Sequence, residues 1–254
     1  MSTPSARWSN GHSERGRPEF PSTSDGAGHY RDFSSFGTLT GLLAPDFTVF
    51  TYDRRGRGRS THTLPYAIER EVDDLAALIA EAGSSAFLYG VSSGALLALQ
   101  AAASGLAIPK LALFEPPIGS DNDASAAADF TRELADLVAA GRRGDAVERF
   151  HTGIGVPPEV IAQMAPQTRS ALEAVAHTLV YDCVISDATS LELVRSVTAP
   201  TLVIDSEGST GDLTGWAAAI IEALPNGTHR SLTGEWHGVA DEDLAPVLTE
   251  FFRS

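Results

Sequence analysis

Short runs of apolar residues alternate with longer amphipathic stretches along most of this chain. Runs rich in β-branched and aromatic residues predict strands at 47–53, 85–91, 110–116, 199–205 and 228–232. Apolar residues recur at helical spacing at 66–83, 93–104, about 212–224 and about 240–252. Strands that alternate with helices favour a mostly parallel sheet covered by helices on both faces, so the pattern predicts an α/β fold.

Two segments depart from this alternation. Residues 1–25 are polar with scattered Gly and Pro and show neither period, which predicts an irregular or degenerate N-terminal segment. Residues from about 119 to 195 are Ala-rich and helical, with breaks at glycines and prolines. They predict a helical insertion between two strands, within a single domain that spans residues 26–254.

Composition limits the classes of protein that this chain can represent. Of its 254 residues, 43% are hydrophobic, which is enough for a sizeable core. The 33 acidic and 18 basic residues give a formal net charge of -15, which repels nucleic acid and anionic lipids, so neither is an expected partner. No apolar run is long enough to span a membrane and no signal peptide is visible, so we expect a cytoplasmic protein. The single cysteine, Cys183, excludes an internal disulfide.

A motif at one strand–helix junction has the residues for nucleophilic chemistry. The segment from Gly90 to Gly94, GVSSG, fits the pattern G-x-S-x-G and both ends a predicted strand and begins a predicted helix. Its two glycines let the backbone turn sharply, which lifts the Ser92 hydroxyl out at the carboxyl edge of the sheet. The N–H of Ser93 then lies at the positive end of the helix, where it could hold an acyl oxygen. Ser92 is the candidate nucleophile; the alternative is a plain turn built from small residues.

A serine nucleophile needs a base, and the chain offers seven histidines. Six of them lie in the irregular start, near a Gly-rich turn, in the helical insertion or at the opening of the last strand. His237 instead lies in the loop GEWHG, between the last strand and the last helix. A loop at the carboxyl edge of the sheet is where a base could meet Ser92, so His237 is the candidate base.

The order of these features resembles the α/β-hydrolase superfamily: strand, G-x-S-x-G, helix, helical insertion, strand and a late histidine. Residues 52–60, YDRRGRGRS, look like the exit of the fourth strand of that fold, usually D-x-R-G-x-G-x-S. The resemblance covers about residues 26–254. It implies an α/β-hydrolase fold with a mostly parallel sheet and a helical lid at about 119–195, and acyl transfer to water by a catalytic triad and an oxyanion hole.

The acid of the implied triad departs from the common pattern. In most members the acid follows the fourth of the strands predicted here, in a pattern like H-G-D-x-D, and the matching position is Ser209, which has no carboxylate. Some members place the acid after the preceding strand instead. Glu115 stands at the carboxyl end of that strand in this chain. The sequence favours Glu115, with Glu207 and Asp205 as alternatives.

The second oxyanion donor falls in a segment that matches the superfamily poorly. In the family this donor follows a strongly apolar strand ending in His-Gly or Gly-Gly, and the matching place here looks like DGAG, which makes the N–H of Ala27 the candidate. Residues 19–24 before it are polar and contain Pro21, so they predict a poor central strand. Either they form a strand despite their composition or the N-terminal segment is displaced. The two strands expected earlier are not readable in residues 1–18.

The sequence thus predicts a serine esterase-type hydrolase that acts on an ester, thioester or lactone of a small to medium apolar molecule. Its catalytic residues would be Ser92, His237 and Glu115. The alternative is a non-hydrolytic relative that binds or cyclises a small molecule, with an impaired oxyanion site. The arginines of residues 54–59 could bind a substrate anion, although a solvated turn is favoured. No cofactor is implied, no metal-ligand spacing is present, and the Ala-, Gly- and Arg-rich composition indicates a bacterial gene.

Overall fold

The computed structural model of the protein describes residues 19–24, 26–33, 36–118, 124–156, 158–209 and 212–254. Its main sheet is formed by β1 (Glu19–Ser24), β2 (Thr48–Thr51), β3 (Leu88–Val91), β4 (Leu111–Phe114), β5 (Thr201–Ser206) and β6 (Gly227–Leu232). Every pairing in this sheet is parallel, and the strand order is β2-β1-β3-β4-β5-β6. A short antiparallel ribbon of β7 (Gly234–Glu235) and β8 (Gly238–Val239) follows β6. The predicted mostly parallel sheet is confirmed.

Helices connect the strands and cover the sheet. In chain order they are α1 (Phe36–Leu43), α2 (Ile68–Glu81), α3 (Ser93–Ala103), α4 (Ala124–Ala139), α5 (Arg143–Gly153), α6 (Pro158–Ala162), α7 (Pro166–Ala174), α8 (His177–Ala188), α9 (Leu191–Ser196), α10 (Asp212–Ala223) and α11 (Asp241–Arg253). Helices α1 and α11 pack on one face of the sheet, whereas α2, α3 and α10 pack on the other. In the described part of the chain, no helix is long and apolar enough to cross a membrane.

The central strand β4 shows why both faces of the sheet are covered. All four of its residues are buried, as a continuous apolar run predicts for a strand enclosed on both sides. Because successive side chains of a strand point to opposite faces, Leu111 and Leu113 join the core beneath α2, α3 and α10. Ala112 and Phe114 join the core beneath α1 and α11.

The strand β1 departs from what its composition predicts. Residues 19–24 were expected to make a poor central strand, but they pair with β2 on one side and β3 on the other. The register with β2 shifts between Phe20 and Thr23, so Pro21 falls where the ladder is already irregular and its missing N–H costs little. Of the two alternatives, the structure has the first: residues 19–24 form a strand despite their composition. Residues 1–18 and Asp25 lie outside the described residues, and the division of the chain at residue 25 stays a prediction.

In the described residues between β4 and β5, where the sequence predicts the insertion, the chain forms six helices, α4 to α9. They have an apolar core of their own, formed by Leu134, Ala146, Val147, Phe150, Leu172, Ala176, Leu179 and Cys183. Ile185 of α8 and Val194 of α9 instead join the core of the main sheet. The insertion is thus a separately packed layer anchored to the sheet through its last two helices.

Candidate active site

Ser92 lies at the junction of β3 and α3, as its motif predicts. Its backbone has φ 53 and ψ -124, a conformation that few non-glycine residues adopt. Neighbouring elements hold this conformation: the N–H of Ser92 donates to the carbonyl of Phe114 at 2.9 Å, and its carbonyl accepts from the N–H of Ala95 at 2.9 Å. Strand β4 and the first turn of α3 therefore fix the sharp turn that presents the serine.

At Gly90, helix α3 packs directly against strand β3, which leaves no room for a side chain. A Cβ at this position would come within 2.5 Å of the carbonyl oxygen of Gly94 and 2.7 Å of Cα of Ala95. Both contacts are with backbone, which cannot move aside without displacing the helix. The first glycine of the motif is thus required by close packing.

His237 and Glu115 form a hydrogen-bonded pair. Nδ1 of His237 lies 2.5 Å from Oε2 of Glu115, and Oε1 of Glu115 accepts from the N–H of Ser206 at 2.8 Å. The side chain of Glu115 is 0% exposed and that of His237 is 21% exposed. A carboxylate buried this deeply needs partners, and the imidazole and a backbone N–H supply them. Because Nδ1 is engaged by Glu115, Nε2 is the nitrogen left for proton transfer in the cavity.

The two alternative acids have other partners. Glu207 is exposed and accepts from the hydroxyl of Thr233 at 2.9 Å. Asp205 is contacted by Nε2 of His229 at 2.9 Å and by the hydroxyl of Ser231. Of the three candidates, Glu115 is the one that the structure brings to His237.

Ser209, which occupies the position of the superfamily's usual acid, contacts His237 in a different way. Its hydroxyl accepts from the backbone N–H of His237 at 3.0 Å. The ribbon of β7 and β8 brackets Trp236 and His237, so the tip of this ribbon presents the imidazole. Ser209 therefore supports the backbone of His237, while Glu115 engages its ring.

The three candidate triad residues, Ser92, Glu115 and His237, all have positive backbone φ angles. They are 53° at Ser92, 43° at Glu115 and 54° at His237. Among the described non-glycine residues, only Ser84 shares this property, with φ 79°. Strained backbone of this kind concentrates at functional sites, because the surrounding structure must enforce it.

The segment predicted to supply the second oxyanion donor lies beside Ser92. Strand β1 ends with Ser24 in register with Gly90, which brings the segment after the strand close to Ser92. A Cβ built on Gly26 would lie 3.3 Å from Cβ of Ser92. Ala27, Ser92, Ser93 and His237 all line one cavity. The five predicted site residues are thus gathered here, with Glu115 behind His237.

The cavity has a volume of about 680 Å³, the size of a small-molecule site. Its floor is the edge of the main sheet. Much of the remaining wall comes from the insertion and α10, with apolar side chains at Phe130, Phe150, Ile154, Leu213 and Trp216. Trp236, beside the base, completes this apolar surface.

Cys183 also lines the cavity, but it is not a competing nucleophile. Burial raises the pKa of its thiol to about 12, and the nearby carboxylates of Asp182 and Asp187 act in the same direction. The thiol therefore stays protonated at neutral pH, and the protonated form is unreactive. Within the described residues, no group of three or more His, Cys, Asp and Glu side chains is placed to hold a metal ion.

Two of the arginines expected in a solvated turn are in fact buried. Arg54 is 2% exposed and Arg57 is 1% exposed. Arg54 donates to both carboxylate oxygens of Glu71, at 2.9 and 3.0 Å, and to Asp182 of α8 at 2.9 Å. Burial acts to lower the pKa of Arg54, but Glu71 and Asp182 outweigh it and hold that pKa well above its ordinary value. For these two residues the expectation is wrong, because internal carboxylates engage their guanidinium groups.

Asp182 is a site residue that the sequence reasoning missed. It is 3% exposed, lines the cavity and accepts from the hydroxyl of Ser93 at 2.8 Å. The available signal was its context, since Asp182 is the one charged residue in the otherwise apolar run LVYDCVI. A carboxylate in such a run must have a partner when the helix packs.

Comparisons with known proteins give the chain a family. Residues 20–245 match a model described as alpha/beta hydrolase family. The chain is 44% identical to an alpha/beta hydrolase from Sphaerobacter thermophilus DSM 20745, with a TM-score of 0.85 over 99% of this chain and 100% of that one. No curated protein sequence matches it significantly.

Two more distant structures share the fold. The enol-lactonase from Burkholderia xenovorans LB400 is 19% identical, with a TM-score of 0.73 over 98% of this chain and 96% of that one. The 2-hydroxy-6-oxo-6-phenylhexa-2,4-dienoate hydrolase from Rhodococcus sp. strain RHA1 is also 19% identical, with a TM-score of 0.64 over 93% of this chain and 91% of that one. At this identity the likeness shows the fold alone.

Proposed function

The chain belongs to the alpha/beta hydrolase family, and from this membership we propose that it is a serine hydrolase that forms an acyl-enzyme. Its substrate is an ester, thioester or lactone of a small to medium apolar molecule. The observation that carries the proposal is the hydrogen bond that Nδ1 of His237 donates to the buried carboxylate of Glu115, on an imidazole that shares its cavity with Ser92. That arrangement is the one a general base needs to activate a serine.

Each candidate residue has a role in the reaction. Ser92 attacks the substrate carbonyl while Nε2 of His237 takes its proton, and Glu115 stabilises the imidazolium that results. The N–H groups of Ser93 and Ala27 hold the oxyanion. When the tetrahedral intermediate collapses, His237 gives the proton to the departing alcohol or thiol. A water molecule, deprotonated by His237, then attacks the acyl-enzyme and releases the acid.

The cavity walls support an apolar substrate. The aromatic and aliphatic side chains of the insertion face the nucleophile across the cavity, so they would contact the acyl or alcohol part of the substrate. The insertion acts as the lid that selects among substrates. A serine nucleophile argues against epoxide or haloalkane hydrolysis, which the superfamily performs with a carboxylate.

The non-hydrolytic alternative rests on two features of the sequence, the poor N-terminal strand and the missing usual acid. Gly26 lies against Ser92, and Glu115 is hydrogen-bonded to His237. Both contacts favour hydrolysis over simple binding, because a binding module has no use for an oriented base next to a strained serine.

Labelling with a fluorophosphonate, read by intact mass, tests the proposal. We expect the wild type to gain one label, Ser92→Ala to gain none, and His237→Ala to react roughly 10³-fold more slowly. His229→Ala is the matched control. His229 is also paired with a carboxylate, that of Asp205, but it lies on strand β6. This variant should react at the wild-type rate and hydrolyse p-nitrophenyl butyrate normally. A folded wild type that stays unlabelled would overturn the proposal.

A further inference from the structure

We propose that Arg57 is a positioning residue of the oxyanion site, which orients and polarises the N–H of Ala27 through the carbonyl of Gly26. The inference rests on the proposed function, because Ala27 is an oxyanion donor only if acyl transfer takes place. It gives a role to the buried cluster of Arg54, Arg57, Glu71 and Asp182, which takes no part in the proposed triad.

Arg57 contacts the peptide that joins Gly26 to Ala27. Nη1 of Arg57 donates to the carbonyl oxygen of Gly26 at 2.6 Å. In a planar trans peptide this carbonyl and the N–H of Ala27 point in opposite directions. A guanidinium that fixes the carbonyl therefore also fixes the direction of the N–H. It also withdraws electron density from the peptide, which makes the N–H a stronger donor.

Asp182 of α8 holds Arg57 in place. Nη2 of Arg57 donates to Oδ1 of Asp182 at 2.5 Å. The same oxygen accepts from the hydroxyl of Ser93 at 2.8 Å, and the N–H of Ser93 is the other oxyanion donor. One carboxylate oxygen on α8 thus ties together both halves of the oxyanion site, Ser93 directly and Ala27 through Arg57.

The charged cluster around Arg57 is costly to bury. Arg54, Arg57, Glu71 and Asp182 are each 3% exposed or less and carry two positive and two negative charges. Such a cluster is a weak source of stability, because desolvation offsets much of the attraction. Within the described residues, Nε of Arg57 and Oδ2 of Asp182 are buried without a hydrogen-bond partner, which is a further cost. A cluster with these costs, placed between two donors, indicates a positional role.

The test compares Arg57→Gln and Arg57→Lys with Arg59→Gln, whose arginine is exposed in the same turn. Steady-state hydrolysis of p-nitrophenyl butyrate and the rate of fluorophosphonate labelling are measured for each. We expect Arg57→Gln to lower kcat roughly 10- to 100-fold while KM changes less than about twofold, since removing a whole oxyanion donor costs about 10²–10³. Arg57→Lys keeps the charge, so its kcat should lie between those of Arg57→Gln and the wild type. Arg59→Gln should behave as the wild type.

These measurements give different results if the proposed function is wrong and if only the role of Arg57 is wrong. A wild type that neither hydrolyses esters nor takes the label refutes the proposed function itself. An active wild type with an equally active Arg57→Gln refutes the role of Arg57 alone. If Arg57→Gln does not fold, Arg57→Lys decides: a selective loss of kcat supports the role, and wild-type kcat overturns it. A pH–rate profile that keeps its shape in Arg57→Lys excludes damage to the triad as the cause.

Discussion

At the scale of single residues, the three candidate triad residues have backbone conformations that cost free energy to form. Positive φ at Ser92, Glu115 and His237 costs about 1–3 kcal/mol each. Each conformation is enforced through its backbone N–H, which donates to Phe114, Ile204 and the Ser209 hydroxyl, respectively. The strain is therefore sustained by neighbouring strands and loops.

The acid of the triad can be tested by replacing Glu115 with Gln, which keeps the shape of the side chain. The N–H of Ser206 needs an acceptor, so the amide oxygen should take the place of Oε1. The amide NH₂ would then face Nδ1 of His237, force that nitrogen to accept, and put the ring proton on Nε2. In this tautomer His237 cannot take the proton of Ser92, so we expect kcat to fall on the order of 10³–10⁴-fold.

Glu207→Gln is the control for this substitution, because Glu207 is the exposed alternative bonded to Thr233. It should hydrolyse p-nitrophenyl butyrate at the wild-type rate. A large loss in Glu207→Gln with an active Glu115→Gln would transfer the role of the acid to Glu207.

The sequence predicts some of these residues better than others for a physical reason. Ser92 and His237 lie in local patterns that mark the ends of strands, and such ends meet at one edge of a parallel sheet. The link between Arg57 and Asp182 joins residues that are far apart in the chain, and it forms only when α8 packs on the turn after β2. The local pattern around Asp182 indicates that its carboxylate needs a partner, but it does not indicate that the partner is Arg57.

At the scale of secondary-structure elements, burial decides how well a strand can be predicted. Strand β4 is apolar at every position and buried at every position, so its sequence is unambiguous. Strand β1 is polar and contains Pro21, yet it is paired on both sides. Its pairing is irregular around the proline, and among the described residues it pairs with β3 at Thr23 and Ser24. Such a strand depends on its neighbours, and composition alone underestimates it.

The contact between β3 and α3 makes a prediction for Gly90→Ala. The new Cβ would meet the backbone of Gly94 and Ala95 at 2.5 to 2.8 Å, so the helix must move away from the strand. We expect unfolding in urea to show a loss of about 2–3 kcal/mol, the cost of overpacking a rigid site. The displaced Ser92 should also lose its reactivity towards fluorophosphonate.

Gly41→Ala provides the matched control, because a Cβ on this glycine of α1 meets nothing within 4 Å. Alanine favours a helix over glycine by about 1 kcal/mol, so this variant should be as stable as the wild type or slightly more so. Equal urea midpoints for Gly90→Ala and the wild type would contradict the requirement for glycine at the turn between β3 and α3.

At the scale of the whole molecule, the cavity lies between two separately packed layers, the main sheet and the helical insertion. The candidate catalytic residues lie on the edge of the main sheet, and much of the remaining cavity wall comes from a helical insertion with its own apolar core. The position of this insertion could be predicted from its composition. The residues of it that face the cavity could not, because its helices are short and their buried faces depend on how they pack together.

If the sheet edge carries out the reaction and the insertion lines the substrate cavity, substitutions in the cavity wall should change substrate selectivity without changing the reaction itself. Ile154, which follows α5, lines the cavity and is 46% exposed, so replacing it with Ser should cost little stability. Its lost contact with a long acyl chain, worth about 1 kcal/mol, should raise KM for p-nitrophenyl octanoate roughly fivefold. The acetate ester, too short to reach it, should keep its KM and kcat. Val160→Ser is the control, because Val160 is 53% exposed on α6, outside the cavity lining, and should leave both esters unchanged. If Ile154→Ser changed the two esters equally, the insertion would not select by chain length at this position.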